Sequence, residues 1–185
     1  MERLLAKVST YVSLDQWDKA ENILNKLIMA KPWDRSLLLA KAHLRKKMWM
    51  ASGCEDHELL EESIRLFSRC HLITGSVEAG INSATLLLLS GKEKEAVKRA
   101  DDTARHCRQL IIENNVNHKE CYAETVAEVN LLKGRLDAAE SWYKTAISKN
   151  EKISENAIDN MNLLLEYLIP EEEIETRIRE AVAEA

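Results

Sequence analysis

Leu4, Leu5, Val8, Tyr11 and Val12 recur at helical spacing, and Leu14-Asp15-Gln16 then breaks the stripe. A second stripe follows, with Ala20, Ile23, Leu24, Leu27 and Ile28 on one face, and it stops at Lys31-Pro32. Proline lacks a backbone donor and disfavours helix in the residue before it, so the stop has a physical cause. The same reading carried along the chain predicts helices at 2–13, 16–31, 34–50, 56–73, 77–90, 93–113, 119–133, 136–149, 155–168 and 171–184.

These elements group into helix–turn–helix units. The second helix of each unit carries a small residue with partners four and seven positions later: Ala20/Leu24/Leu27, Ser63/Phe67/Cys70, Ala96/Ala100/Thr103 and Ala139/Tyr143/Ala146. First members are 43, 33 and 43 residues apart, which fits a repeat of about 34 residues, twice enlarged by about nine. Val8, Ala42, Ala84 and Ala127 take the facing position in the first helices, because antiparallel helices approach closely only where side chains are small. Gly91 and Gly134 each follow a first helix, where a left-handed helix end suits glycine best. The pattern predicts an all-α chain, a right-handed α-solenoid of antiparallel helix pairs. About four repeats occupy residues 1–150, and 151–185 form C-terminal capping helices packed on the array. The capping pair ends with Glu171-Glu172-Glu173 at a helix N-terminus, where the dipole favours negative charge.

Composition narrows the function classes. Hydrophobic residues make up 45% and charged residues 31% of the 185, a mixture that folds. Leu and Ala outnumber Val and Ile, which favours helix over sheet. A net charge of −5, with no basic block to follow a phosphate backbone, argues against nucleic acid. The longest apolar run, Leu86 to Leu89, is far short of the ~20 residues of a membrane span, so no membrane partner is expected. Met1-Glu2-Arg3-Leu4-Leu5-Ala6-Lys7 lacks the apolar stretch of a signal peptide, and four Cys without an export signal imply reduced thiols in a cytoplasm.

Tyr11, Ala20, Leu24 and Pro32 resemble the tetratricopeptide signature, as does Ala127…Gly134…Ala139…Tyr143…Ala146. A narrower resemblance lies in Gly80-Ile81-Asn82-Ser83-Ala84-Thr85-Leu86-Leu87-Leu88-Leu89-Ser90-Gly91, together with Ala139-Glu140-Ser141-Trp142-Tyr143-Lys144 and Ala157-Ile158-Asp159-Asn160-Met161. These stretches look like the TRAF-binding tetratricopeptide region of apoptosis signal-regulating kinases, which also occurs in bacterial proteins. The resemblance implies a regulatory, partner-binding segment. No kinase glycine-rich loop, catalytic loop or Asp-Phe-Gly motif accompanies it, so only the binding role carries over.

In such an array the first helices line a concave face, where elongated partners lie. Placing each small residue at the helix contact points its neighbours into the groove. The expected lining is Leu5, Ser9 and Val12 from the first unit and Leu39, His43 and Lys46 from the second. Ile81, Thr85 and Leu88 come from the third, and Glu124, Glu128 and Leu131 from the fourth. That groove is apolar in the middle, basic toward Lys46-Lys47 and acidic toward Glu124 and Glu128. The acidic pair either attracts a basic or amphipathic segment or forms an ordinary solvated helix face. Modules gripping the acidic C-termini of chaperones resemble one another in carrying Lys and Asn on the first helix. Leu5 and Ser9 stand at those places here, which disfavours that reading.

Each Cys has a His nearby: Cys54/His57, Cys70/His71, His106/Cys107 and His118/Cys121. Zinc wants four such ligands in a tetrahedron, but the three-apart pairs are far separated and no Cys-x-x-Cys anchors them, so neither a metal nor another cofactor is expected. Motifs for nucleophilic or phosphate chemistry are absent, and the chain is not expected to be an enzyme. Trp49 and Trp142 fall within helices as packing residues, whereas Trp17 and Trp33 sit at turns. Trp33 can cover the next helix, and a Trp at such a turn is expected to cover the solenoid end, an exposed interface hot spot being the alternative. The functional expectation is an adaptor or scaffold that binds a peptide or helix of another protein in its groove. Self-association is the alternative, using Leu163-Leu164-Leu165 with Ile174, Ile178 and Val182, and a metal-dependent sensor ranks below both.

Overall fold

The computed structural model describes residues 1–114, 119–150, 153–168 and 179. The described elements are α1 (Glu2–Ser13), α2 (Trp17–Ala30), α3 (Arg35–Ala51), α4 (His57–Thr74), α5 (Val77–Leu89), α6 (Glu93–Asn114), α7 (Lys119–Leu132), α8 (Leu136–Asn150) and α9 (Glu155–Leu168). Each begins and ends within one residue of the helix predicted from periodicity. The helix expected at 171–184 and the Asn114–Asn117 turn fall wholly or partly outside the described residues.

Local chemistry explains the boundaries. Asp34 opens α3 by accepting from the N–H groups of Ser36 and Leu37, at 3.0 and 3.3 Å, and Asp56 opens α4 in the same way with Glu58 and Leu59. These caps satisfy donors that have no partner within the helix. At the far end of α5, Gly91 has φ 79 and Gly134 after α7 has φ 68. In both places a paired closure follows: Lys92 N–H to Leu87 C=O and Gly91 N–H to Leu88 C=O, then Arg135 to Asn130 and Gly134 to Leu131. That is the Schellman arrangement, which needs a left-handed residue at the turn.

The chain divides into two compact units, Met1–Ala79 and Gly80–Ala185. In the first, α1 pairs with α2 and α3 with α4, while α2 also packs on α3. Its core gathers Val8, Ala20, Leu24, Leu37 and Leu44, with Leu5, Tyr11, Val12 and Leu27 among the side chains packed against them. Ala42 and Ser63 meet across α3 and α4, where the Ser63 hydroxyl donates to the Ala42 carbonyl at 3.3 Å. In the second unit α7 is central, contacting α6, α8 and α9. Ala84, Ala127, Ala96, Ala100, Thr103, Ala139, Tyr143 and Ala146 are all buried, as the small-residue pattern requires. Of the contact residues predicted in both units, Leu27 alone is only half-buried.

Candidate functional site

The expected groove residues separate by burial. Ser9 is exposed on α1, and Leu5 and Val12 beside it are half-buried against the first unit's core. Leu39 and His43 on α3 are also half-buried, and α1 and α3 touch, so these five lie on neighbouring helices of one unit. The His43 ring meets Phe67 edge-on at 5.0 Å, and its Nε2 donates to Glu78 Oε1 at 2.8 Å. Burial alone pushes the Glu78 carboxyl up. The His43 hydrogen bond and the charges of His43, Arg35 and Lys46 outweigh that and hold it below the ordinary value. The contact joins α3 to the first turn of α5, and Arg35 supports it by reaching Ser76 Oγ at 3.4 Å.

The remaining positions depart from the expectation of an open lining. Lys46, Ile81, Thr85, Leu88, Glu128 and Leu131 are buried. A first helix in a stacked array is flanked by more than its own partner, so residues beside the small contact position can become packing residues too. The acidic pair is the clearest correction. Glu124 accepts from the Ser154 N–H and hydroxyl at 3.1 and 2.9 Å, and Glu128 accepts from the Asn160 amide at 2.5 Å. Helix α9 therefore engages this face of α7, and Glu128 is neither a solvated charge nor an open attractor. The sequence held a signal for this: Asn160 falls on the apolar stripe of Ala157, Met161 and Leu164. Leu163, Leu164 and Leu165, expected to offer a self-association face, are buried as well, whereas Ile174, Ile178 and Val182 lie outside the described residues.

An ion-pair cluster in the first unit went unforeseen. Glu21 on α2 takes both Lys41 and Arg45 of α3, at 3.1 and 2.5 Å, and Arg45 also reaches Glu62 on α4 at 2.8 Å. Lys41 further contacts Asn25. Burial raises the Glu21 pKa, but the Lys41 hydrogen bond and the Arg45 and Lys41 charges bring it below the ordinary value. The four-residue spacings Glu21/Asn25 and Lys41/Arg45 were the available clue, since each places two side chains on one helix face.

The Trp residues and thiols also find their places. Trp49 is buried, and Trp142 is half-buried with its ring edge-on to Tyr122 at 5.8 Å. Trp33 stands 63% exposed, with the Arg69 guanidinium 5.1 Å from its ring centre. Cys54 is exposed, while Cys70 and Cys107 are buried, and none of the three is in a disulfide. Burial pushes the Cys70 thiol up, as befits a packing residue. Among the described residues no three His, Cys, Asp or Glu side chains converge in a way that would hold a metal; His118 and the Cys121 side chain lie outside them. Among the described residues, no helix is long and apolar enough to cross a membrane. In the second unit a cleft of about 500 Å³ is lined by apolar side chains such as Leu88, Val97 and Tyr167 together with Glu93, Lys133 and Arg135. Lys133 there is held by Asp101.

Known proteins place this architecture. A thermophilic TPR protein of Thermus thermophilus superposes with a TM-score of 0.57 at 17% identity, covering 88% of this chain and 80% of the other. The pilF protein of Pseudomonas aeruginosa gives 0.55 at 14% identity, covering 99% of this chain and 75% of that one. At such identities the likeness establishes the fold alone, the all-α tetratricopeptide solenoid class. No curated protein matches the sequence. Residues 13–119, more than half of the chain and spanning α2 to α6, match the family described as the MAP3K TRAFs-binding domain. The chain belongs to the MAP3K TRAFs-binding domain family.

Proposed function

We propose that this protein acts by binding and not by catalysis, as a protein–protein interaction module that receives a segment of a TRAF-type partner. The observation that carries this reading is the family match over residues 13–119. The fold class is consistent with it, because stacked helix pairs present extended surfaces to partners. The proposed contact face is the α1–α3 side of the first unit, where Leu5, Ser9, Val12, Leu39 and His43 keep accessible surface. Cys54, Cys70 and Cys107 stand outside any disulfide, which suits a reducing cytoplasm as the proposed place of action.

The test is calorimetric titration of the full chain with a purified TRAF domain. Saturable binding is expected, and Ser9→Arg combined with Leu39→Arg should weaken it about tenfold, the effect of losing roughly 1.4 kcal/mol. Thermal melts of the variant guard against simple unfolding. Undiminished binding by a folded variant would move the partner off the α1–α3 face. Failure of the wild type to bind any TRAF domain would remove the partner class.

A further inference from the structure

The first unit carries a second surface that shares no residue with the α1–α3 face. Met29 near the end of α2 is 85% exposed, and Trp33 in the following turn is 63% exposed. The Arg69 guanidinium lies 5.1 Å from the Trp33 ring centre, which brings α4 alongside that turn. One turn further along α4, Leu72 is 76% and Ile73 42% exposed. Three and four residues separate these from Arg69, so they share its helix face. Trp33, Leu72 and Ile73 thus lie open around Arg69, and Met29 is open at the end of α2 that leads into the Trp33 turn, whereas a scattered exposed Leu would need no explanation.

The charges around them are mostly positive, and the one carboxylate beside Trp33, Asp34, is engaged in capping α3. Lys26 lies one turn before Met29, Lys31 two residues before Trp33, and Arg65 one turn before Arg69; all three are exposed, like Arg69 itself. Among the described residues none of the four cations forms an ion pair, and Arg69 has only the Trp33 ring. Elsewhere in the same unit the cations Lys41 and Arg45 are consumed by Glu21 and Glu62. Unpaired positive charge around an exposed apolar centre stands out on a chain whose net charge is −5.

We propose that this surface docks an acidic amphipathic segment of a partner protein, with aliphatic side chains against Trp33, Leu72 and Met29 and carboxylates on Arg65, Arg69, Lys26 and Lys31. Tryptophan and arginine are the side chains that most often dominate binding energy at such centres. The surrounding charge selects the sign of the partner and speeds the encounter.

The full chain is titrated with two synthetic helical peptides of about 16 residues, the length of an ordinary helix-in-groove ligand. Both carry Leu at i, i+3, i+4 and i+7; their remaining positions are Glu-rich in one and Lys-rich in the other. The Glu-rich peptide should bind, more weakly as salt is raised, and the Lys-rich peptide should not. Arg65→Glu with Arg69→Glu should reverse that preference, and Trp33→Ala should weaken the acidic peptide about tenfold. All three substituted side chains are exposed, so the melting curve should hardly move. Equal binding of the two peptides, no binding of the acidic one, or a charge-reversed variant that binds it undiminished would each overturn the proposal. Binding to phosphatidylserine vesicles without binding to the acidic peptide would overturn it in favour of a membrane surface.

Discussion

The side-chain amide of Asn160 donates to the carboxylate of Glu128 at 2.5 Å, joining α9 to α7 at a point where both residues are buried. A buried carboxylate that loses a hydrogen-bond donor keeps the cost of its desolvation. Asn160→Ala should therefore destabilise the fold by about 2 kcal/mol, more than the missing atoms alone would cost. Urea unfolding would show it as a lower midpoint with little change in slope. Glu128→Lys should be worse still, and a loss of partner binding in that variant would report unfolding of this contact.

Tyr143 is fully buried between α7 and α8, and its hydroxyl has no hydrogen-bond partner among the described residues. Burial, and then the Glu128 and Glu124 charges, push its pKa well above the ordinary 10.0. The native state therefore holds the proton longer than the unfolded chain. Ionisation of Tyr143 costs nothing below pH 10.0, and stability falls progressively as pH rises beyond it. Tyr143→Phe should leave neutral-pH stability unchanged or raise it by up to about 1 kcal/mol, since an unsatisfied buried hydroxyl is removed. The variant should also lose part of the alkaline decline. A clear drop in melting temperature at neutral pH would show that the hydroxyl is bonded.

Glu21 and Glu78 both have pKa values held below the ordinary 4.5, against the upward push of burial. The unfolded chain takes up their protons first as pH falls. Their contribution is complete above that ordinary value and is lost as pH drops through the lower native values. Melting temperature measured across the acid range should fall more gently for Glu78→Gln than for the wild type. Parallel curves would mean that the His43 contact does not favour the charged form.

Ala42 is fully buried where α3 meets α4. Ala42→Leu forces extra volume into a close helix contact and should cost about 1–3 kcal/mol. Leu14→Ala, at a position 57% exposed, serves as the matching control and should stay within about 0.5 kcal/mol. Equal effects of the two in chemical denaturation would mean that the small-residue seam is not a tight contact.

The sequence alone determined the helices and their pairing seams. Apolar residues at helical spacing, Pro32, and the Gly91 and Gly134 turns act through neighbours within a few residues, so their consequences can be read from a string. The small residues Ala42, Ala84, Ala127, Ala139 and Ala146 were legible for a related reason: each hairpin brings its two helices together across a short turn. Tertiary structure alone decided which of the first-helix side chains stay open. Periodicity gives a helix face, but not the number of neighbours that cover it. Glu124 and Glu128 look like a solvated pair until Ser154 and Asn160, some thirty residues away, reach them. Lys41 and Arg45 look like exposed cations until Glu21 and Glu62 close on them from two other helices. For Trp33 a covering role and an exposed contact were both open, and packing leaves it exposed beside Arg69. Burial and charge pairing depend on contacts between residues remote in sequence, and those exist only once the helices have packed.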